Sequence, residues 1–127
     1  MPTLNYKADL IDKVIDGSKP HTIRFGKRIY QVGQDAIHTT GSRTPDYKEH
    51  RRDQITAVDK IRIKIGRYAV RIWINDQQLS TAAADKLVIN DGFTGYKKFA
   101  QFFRTQHGQE FDITGQLIQW SKTPITY

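Results

Sequence analysis

The strongest constraint on the fold lies between Gln54 and Ile74. Ala57, Ile61, Ile63 and Ile65 alternate there with Lys60, Arg62 and Lys64 up to Gly66, and beyond it Tyr68, Val70, Ile72 and Ile74 alternate with Arg67, Arg71 and Trp73. Successive side chains of a strand point to opposite faces, so this pattern predicts a β-hairpin with one apolar face against a core. The other face gathers Lys60, Arg62, Lys64, Arg67, Arg71 and Trp73, with no acid in the run from Lys60 to Arg71. Such a face has two readings. Alternating cations solubilise a sheet and discourage edge pairing; equally, they can grip phosphates while Trp73 stacks on a base.

Charge favours an anionic partner. Lys and Arg number 20 against 13 Asp and Glu, a formal net charge of +7, and a basic domain of this size attracts polyanions or phosphorylated ligands. At 127 residues one domain with a single core is expected. The absence of Cys excludes disulfides, thiolate metal sites and cysteine nucleophiles, and suits a reducing cytoplasm, the expected location. No apolar run approaches the roughly 20 residues that span a bilayer, and the first segment mixes acids into its apolar positions as no signal peptide does. A membrane partner is therefore not expected.

Other elements follow from periodicity. Tyr6, Leu10 and Val14, with Ile11 and Ile15, recur at intervals of four and predict a helix from Tyr6 to Asp16 that Gly17 and Pro20 terminate. His21 to Phe25 reads as a strand on which Thr22 and Arg24 share a face. A short strand is expected before Thr40, and residues 41–53, polar and aperiodic, read as a long loop. Asn75-Asp76 turns the chain. Ser80 or Thr81 caps a short helix through Val88, broken by Asn90-Asp91-Gly92, and Thr94 is the expected cap of a helix from Tyr96 to Gln106. Its Phe99, Phe102 and Phe103 form a stripe suited to a core. Phe111 to Trp120 returns as a strand with Phe111, Ile113, Leu117 and Trp120 as candidates for burial. The order predicts an α+β fold, a small, mostly antiparallel barrel flanked by helices.

Several familiar sites are missing: there is no Walker loop, no GxGxxG and no HExxH, and His21, His38, His50 and His107 lack metal-ligand spacing. Neither a metal nor an organic cofactor is expected, and each histidine reads as an ordinary hydrogen-bonded residue. The segment Gly17-Ser18-Lys19-Pro20-His21-Thr22-Ile23-Arg24 instead packs an amine, a hydroxyl and a guanidinium into a helix exit and the strand that follows.

This segment resembles the signature of the ASCH domain family, in which a helix ends in Gly-x-Lys and continues x-x-Thr-Ile-Arg within a barrel similar to the PUA domain. Thr39-Thr40-Gly41-Ser42-Arg43-Thr44 is similar to the Thr-Gly-x-Arg-Thr element of phage and prophage ASCH proteins, and Asn90-Asp91-Gly92-Phe93 to the element before that family's last helix. Together these stretches cover nearly the whole chain in order. The resemblance implies a nucleoside or RNA ligand and a PUA-like barrel. It also implies metal-independent amide hydrolysis releasing cytidine from N4-acylated cytidines such as N4-acetylcytidine. The family's Lys and Thr fall on Lys19 and Thr22. The acid falls on Asp91, where this chain departs from the pattern by carrying aspartate in place of glutamate. In that scheme Lys19, its pKa lowered in an enclosed pocket, deprotonates Thr22. Arg24 holds ribose or phosphate or steadies the oxyanion, Arg43 adds a substrate contact, and Asp91 orients Lys19 or bonds the cytosine amino group. Two other functions stay open: a non-catalytic reader of RNA or single-stranded nucleic acid, and a metal-independent ribonuclease.

Overall fold

In a computed structural model describing residues 1–127, the chain runs β1 (Thr3–Tyr6), α1 (Ala8–Asp16), β2 (His21–Arg24), β3 (Asp35–Thr40), β4 (Lys48–Gln54), β5 (Ala57–Ile65), β6 (Val70–Ile74), β7 (Gln77–Gln78), α2 (Thr81–Asn90), α3 (Tyr96–His107) and β8 (Phe111–Gln119). The fold is α+β, as expected. The strands form two separate sheets, ordered β1-β3-β4 and β2-β8-β5-β6-β7, which do not close into a barrel. All pairings are antiparallel except that of β1 with β3.

The hairpin forms as its alternation requires. β5 and β6 pair in the register Ile61↔Ile74, Ile63↔Ile72 and Ile65↔Val70, and Ile61, Ile63, Ile65 and Ile72 are almost wholly buried. At the next turn Asn75 and Asp76 both take positive φ, 50° and 69°, between the paired Ile74 and Gln77. Two consecutive left-handed residues make the tight hairpin turn whose twist matches the flanking strands.

β8 lies between β2 and β5 and divides the interior. Leu117 joins a cluster in which Ile23, Ile61, Ile63 and Ile72 pack against Leu87 and Val88 of α2 and Phe99 and Phe103 of α3. Its neighbour Ile118 points the opposite way, into a second cluster with Leu4, Tyr6, Tyr30, Trp120 and Leu10, Ile11 and Val14 of α1. Gly115 admits no side chain: a Cβ there would stand 2.4 Å from Phe25 Cδ1 and 2.5 Å from the Arg24 carbonyl oxygen.

Three local expectations are corrected. Residues 48–53 of the expected loop belong to strand β4, a sheet edge; most of its charged side chains are exposed, Asp53 alone turning inward to His38, so no apolar alternation marks it. Tyr6 ends β1 and does not start a helix, because the stretch Thr3–Tyr6 pairs in parallel with Ile37–Thr40, a partner too distant in sequence to leave a local sign. The last helix is capped at Gly95 without any side-chain bond, so Thr94 does not cap it, whereas Ser80 does accept from the Ala83 N–H of α2 at 3.2 Å. No helix is long and apolar enough to cross a membrane.

Candidate active site

The site begins where α1 ends. Gly17 takes φ 87° and donates its N–H to Val14 O at 3.3 Å, and the Lys19 N–H returns to Lys13 O at 2.9 Å. This left-handed closure turns the Lys19 side chain inward, where it is only 2% exposed. α2 ends against it. Its cap Asp91 donates N–H to Leu87 O at 2.8 Å, and Gly92 follows with φ 101°. A Cβ on Gly92 would lie 3.1 Å from Leu10 Cδ2 and 3.2 Å from Lys19 Cδ, so the left-handed conformation favours glycine and any side chain would crowd these two neighbours. Lys13 Nζ donates to Gly92 O at 2.6 Å and Lys19 Nζ to Asp91 O at 2.5 Å. Two ammonium groups thus meet the carbonyl end of α2, where the helix dipole favours cations.

Lys19 Nζ also donates to Asp91 Oδ1 at 2.9 Å, and both side chains are 3% exposed. His21 lies 3.2 Å from the same oxygen through Nδ1 and 2.5 Å from the Tyr127 hydroxyl through Nε2. A carboxylate accepts only, so Nδ1 carries the hydrogen and Nε2 accepts from Tyr127, whose oxygen in turn accepts from Asn90 Nδ2 at 3.0 Å. Burial opposes the charge on Asp91, but Lys19 and then His21 outweigh it and hold the carboxyl below its ordinary range. For Lys19 burial dominates, and despite Asp91 its pKa falls below that of a free lysine.

Thr22 and Arg24 share a face of β2, as expected from alternation. Arg24 Nε donates to Thr22 Oγ1 at 3.3 Å, a guanidinium nitrogen donates to the Asn5 carbonyl at 2.7 Å, and its Cζ stands 5.0 Å from the Tyr6 ring centre. Lys19, Thr22, Arg24 and Asp91 all line one cleft of about 510 Å³, together with Asn5, Tyr6 and the rings of Phe25, Phe93 and Phe102. Lys19 and Asp91 are in direct contact; the Thr22 hydroxyl bonds Arg24 and makes no hydrogen bond to Lys19. Arg43 does not line the cleft. It is exposed in the turn after β3 with φ 62°, although the adjacent Ser42 N–H is tied to Asn5 Oδ1 at 3.1 Å.

The cationic face of the hairpin is less bare than its own sequence implies. Lys60, Arg62, Lys64, Arg71 and Trp73 do share it, since Arg62 pairs with Trp73 and Lys64 with Arg71. Acids arrive from outside the run: Arg62 forms a two-point pair with Asp112 of β8 at 2.8 and 2.6 Å, and Lys60 bonds Asp76 at 2.7 Å. Arg62 also covers Trp73, its Cζ 4.5 Å from the ring centre. Arg67 belongs to the loop between β5 and β6, outside both strands, over the Tyr68 ring at 5.3 Å. Lys64 and Arg71 are exposed cations on this face for which no salt bridge forms.

Four residues beside the predicted set complete the site. His21 and Tyr127 support Asp91, and Asn5 and Tyr6 support Arg24. His21 stands between Lys19 and Thr22 in sequence, but strand alternation gives no reason for it to meet a carboxylate seventy positions away. Comparison of the chain with family models, curated proteins and solved structures finds no match.

Proposed function

We propose that this cleft hydrolyses the amide of N4-acylated cytidine, free or within RNA, releasing cytidine and a carboxylate, in an ASCH-like domain whose two sheets correspond to an opened PUA-like barrel. The carrying observation is the convergence of Lys19, Thr22, Arg24 and Asp91 on one cavity. Its size suits a ligand held by a few convergent polar groups.

In this reading the neutral amine of Lys19 takes the Thr22 proton while Oγ1 bonds the acyl carbon. Lys19 rests paired with Asp91, and burial lowers its pKa, so the neutral form a general base needs is reached more readily than in a free lysine. Arg24, which donates to Oγ1 and lines the same cleft, supplies in this reading the cation that steadies the negative charge developing on the former carbonyl oxygen. Collapse breaks the bond to N4, which takes the proton from Lys19 and leaves as cytidine. Water then hydrolyses the Thr22 ester, and the hydroxyl is restored. Asp91 orients Lys19 throughout, and its one-methylene-shorter side chain reaches the amine because Gly92 lets the end of α2 approach so closely.

The test is incubation with N4-acetylcytidine and chromatographic detection of cytidine. Lys19→Ala and Thr22→Ala are expected to lower turnover by about 100-fold or more, a usual loss for a proton-transfer group. Turnover equal to that of the parent protein would remove both residues from the mechanism.

A further inference from the structure

A chain of polar side chains crosses the apolar cluster beneath α1, and it ends under Arg24. Tyr6 Oη lies 2.9 Å from His38 Nδ1, His38 Nε2 lies 3.0 Å from Asp53 Oδ2, and Asp53 is clasped by Arg51 at 2.7 and 3.0 Å. Tyr6 and His38 are 5% and 0% exposed, whereas the Arg51 side chain is 41% exposed, so the chain runs from the cleft wall to the surface. Its hydrogens are fixed by chemistry. Asp53 accepts from His38 Nε2–H, which leaves Nδ1 to accept from the Tyr6 hydroxyl.

These groups stand among Leu4, Leu10, Val14 and Trp120, with Trp120 at 4.5 Å between ring centres from His38. Apolar residues of similar size would fill that space without the desolvation cost of an imidazole and a carboxylate. What the polar chain adds is direction. It locks the ring plane of Tyr6, on whose face the Arg24 guanidinium rests. A second strut comes from the same sheet: Asn5 O accepts from Arg24, while Asn5 Oδ1 is held by Thr39 Oγ1 and the Ser42 N–H, each at 3.1 Å.

We infer that the Tyr6 hydroxyl, His38 and Asp53 are positioning groups that fix Arg24 in the cleft, acting on the ligand only through that guanidinium. The inference rests on the proposed site for its kinetic consequence, but its structural half is independent of any reaction.

The experiment therefore has two readouts on the full chain. In nitrogen-15 NMR the Arg24 Nε–H of the parent protein is expected to exchange slowly with water, and His38 to show the tautomer protonated at Nε2. Tyr6→Phe, which keeps the ring and removes only the hydroxyl, and His38→Gln are both expected to accelerate that exchange about tenfold. In turnover of N4-acetylcytidine, Tyr6→Phe is expected to lower kcat/KM about tenfold, and to lower it no further in an Arg24→Ala background, the non-additivity that marks a residue acting through another. Unchanged Arg24 exchange in both variants, or additive losses with Arg24→Ala, would overturn the inference. If the parent protein turns over no substrate, the hydrolase reading fails, and the exchange measurement still decides the role of the chain.

Discussion

Replacement of Lys19 by methionine isolates the energetics of the buried ion pair. The two side chains have similar length, so Lys19→Met retains most of the packing beside Gly92 while removing the bonds to Asp91 O and Oδ1. Asp91 then keeps only His21 as a side-chain partner and remains 2% exposed. Stranding one member of a buried pair costs about 3–5 kcal/mol. Because His21 still donates to the carboxylate, the lower end, about 3 kcal/mol, is expected here. Urea unfolding at pH 7 reads it directly: with a slope of about 1–3 kcal/mol per molar, the midpoint is expected to fall by roughly 1–3 M. The double variant Lys19→Met with Asp91→Leu removes both charges and is expected to recover much of the loss, as replacing a whole buried pair by apolar groups often does. A Lys19→Met midpoint within about 0.3 M of the parent value, under 1 kcal/mol on that slope, would refute the reasoning by showing that Asp91 finds compensation elsewhere.

Three further outcomes follow from the geometry. Gly92→Ala places a Cβ against Leu10 and Lys19 at a left-handed φ of 101° and is expected to cost about 1–3 kcal/mol, read as a lower thermal midpoint, whereas Gly95→Ala, with open space around it, is expected to cost less. Asp91 has a folded pKa below its unfolded one, so its contribution is complete above the unfolded pKa of about 3.8 and is lost as pH falls through the folded value; urea midpoints measured from pH 5 downward are expected to show a shallower acid decline in Asp91→Asn than in the parent. The Arg62–Asp112 pair is close to half exposed, and a double-mutant cycle on it is expected to give a coupling small beside that of the buried Lys19–Asp91 pair and to shrink further in high salt.

Much of the fold was written in local patterns. Ile61, Ile63, Ile65 and Ile72 declare a hairpin because strand alternation is a property of adjacent residues, and Ser80 declares a helix start for the same reason. β4 stayed silent since an edge strand has no apolar face to alternate, and β1 because its parallel partner lies more than thirty residues on. The two-sheet arrangement depends on the exit of the chain from β4 into β5, which no periodicity encodes. In the site, it was the family resemblance that singled out Lys19, Thr22 and Asp91; on the residues alone they read as a turn cation, a strand residue and a turn acid, and the contact between Lys19 and Asp91 spans more than seventy positions that no local pattern joins. His21, Tyr6 and His38 were not legible, because a histidine in a strand looks the same whether it meets solvent, a ring or a carboxylate, and only the tertiary fold decides. The acids that neutralise Lys60 and Arg62 were hidden for the same reason: one sits beyond the hairpin turn and the other on β8.

The placement of β8 between β2 and β5, with Leu117 serving one apolar cluster and Ile118 the other, carries a consequence for biogenesis. The strand that follows every other element is the keystone of the interior, so while residues 111–119 are still inside the ribosome, β2 has no neighbour and neither cluster is complete. The nascent protein must then keep both apolar clusters open on the β8 side until residue 119 has emerged, and a chain cut just before Phe111 is expected to be prone to aggregate.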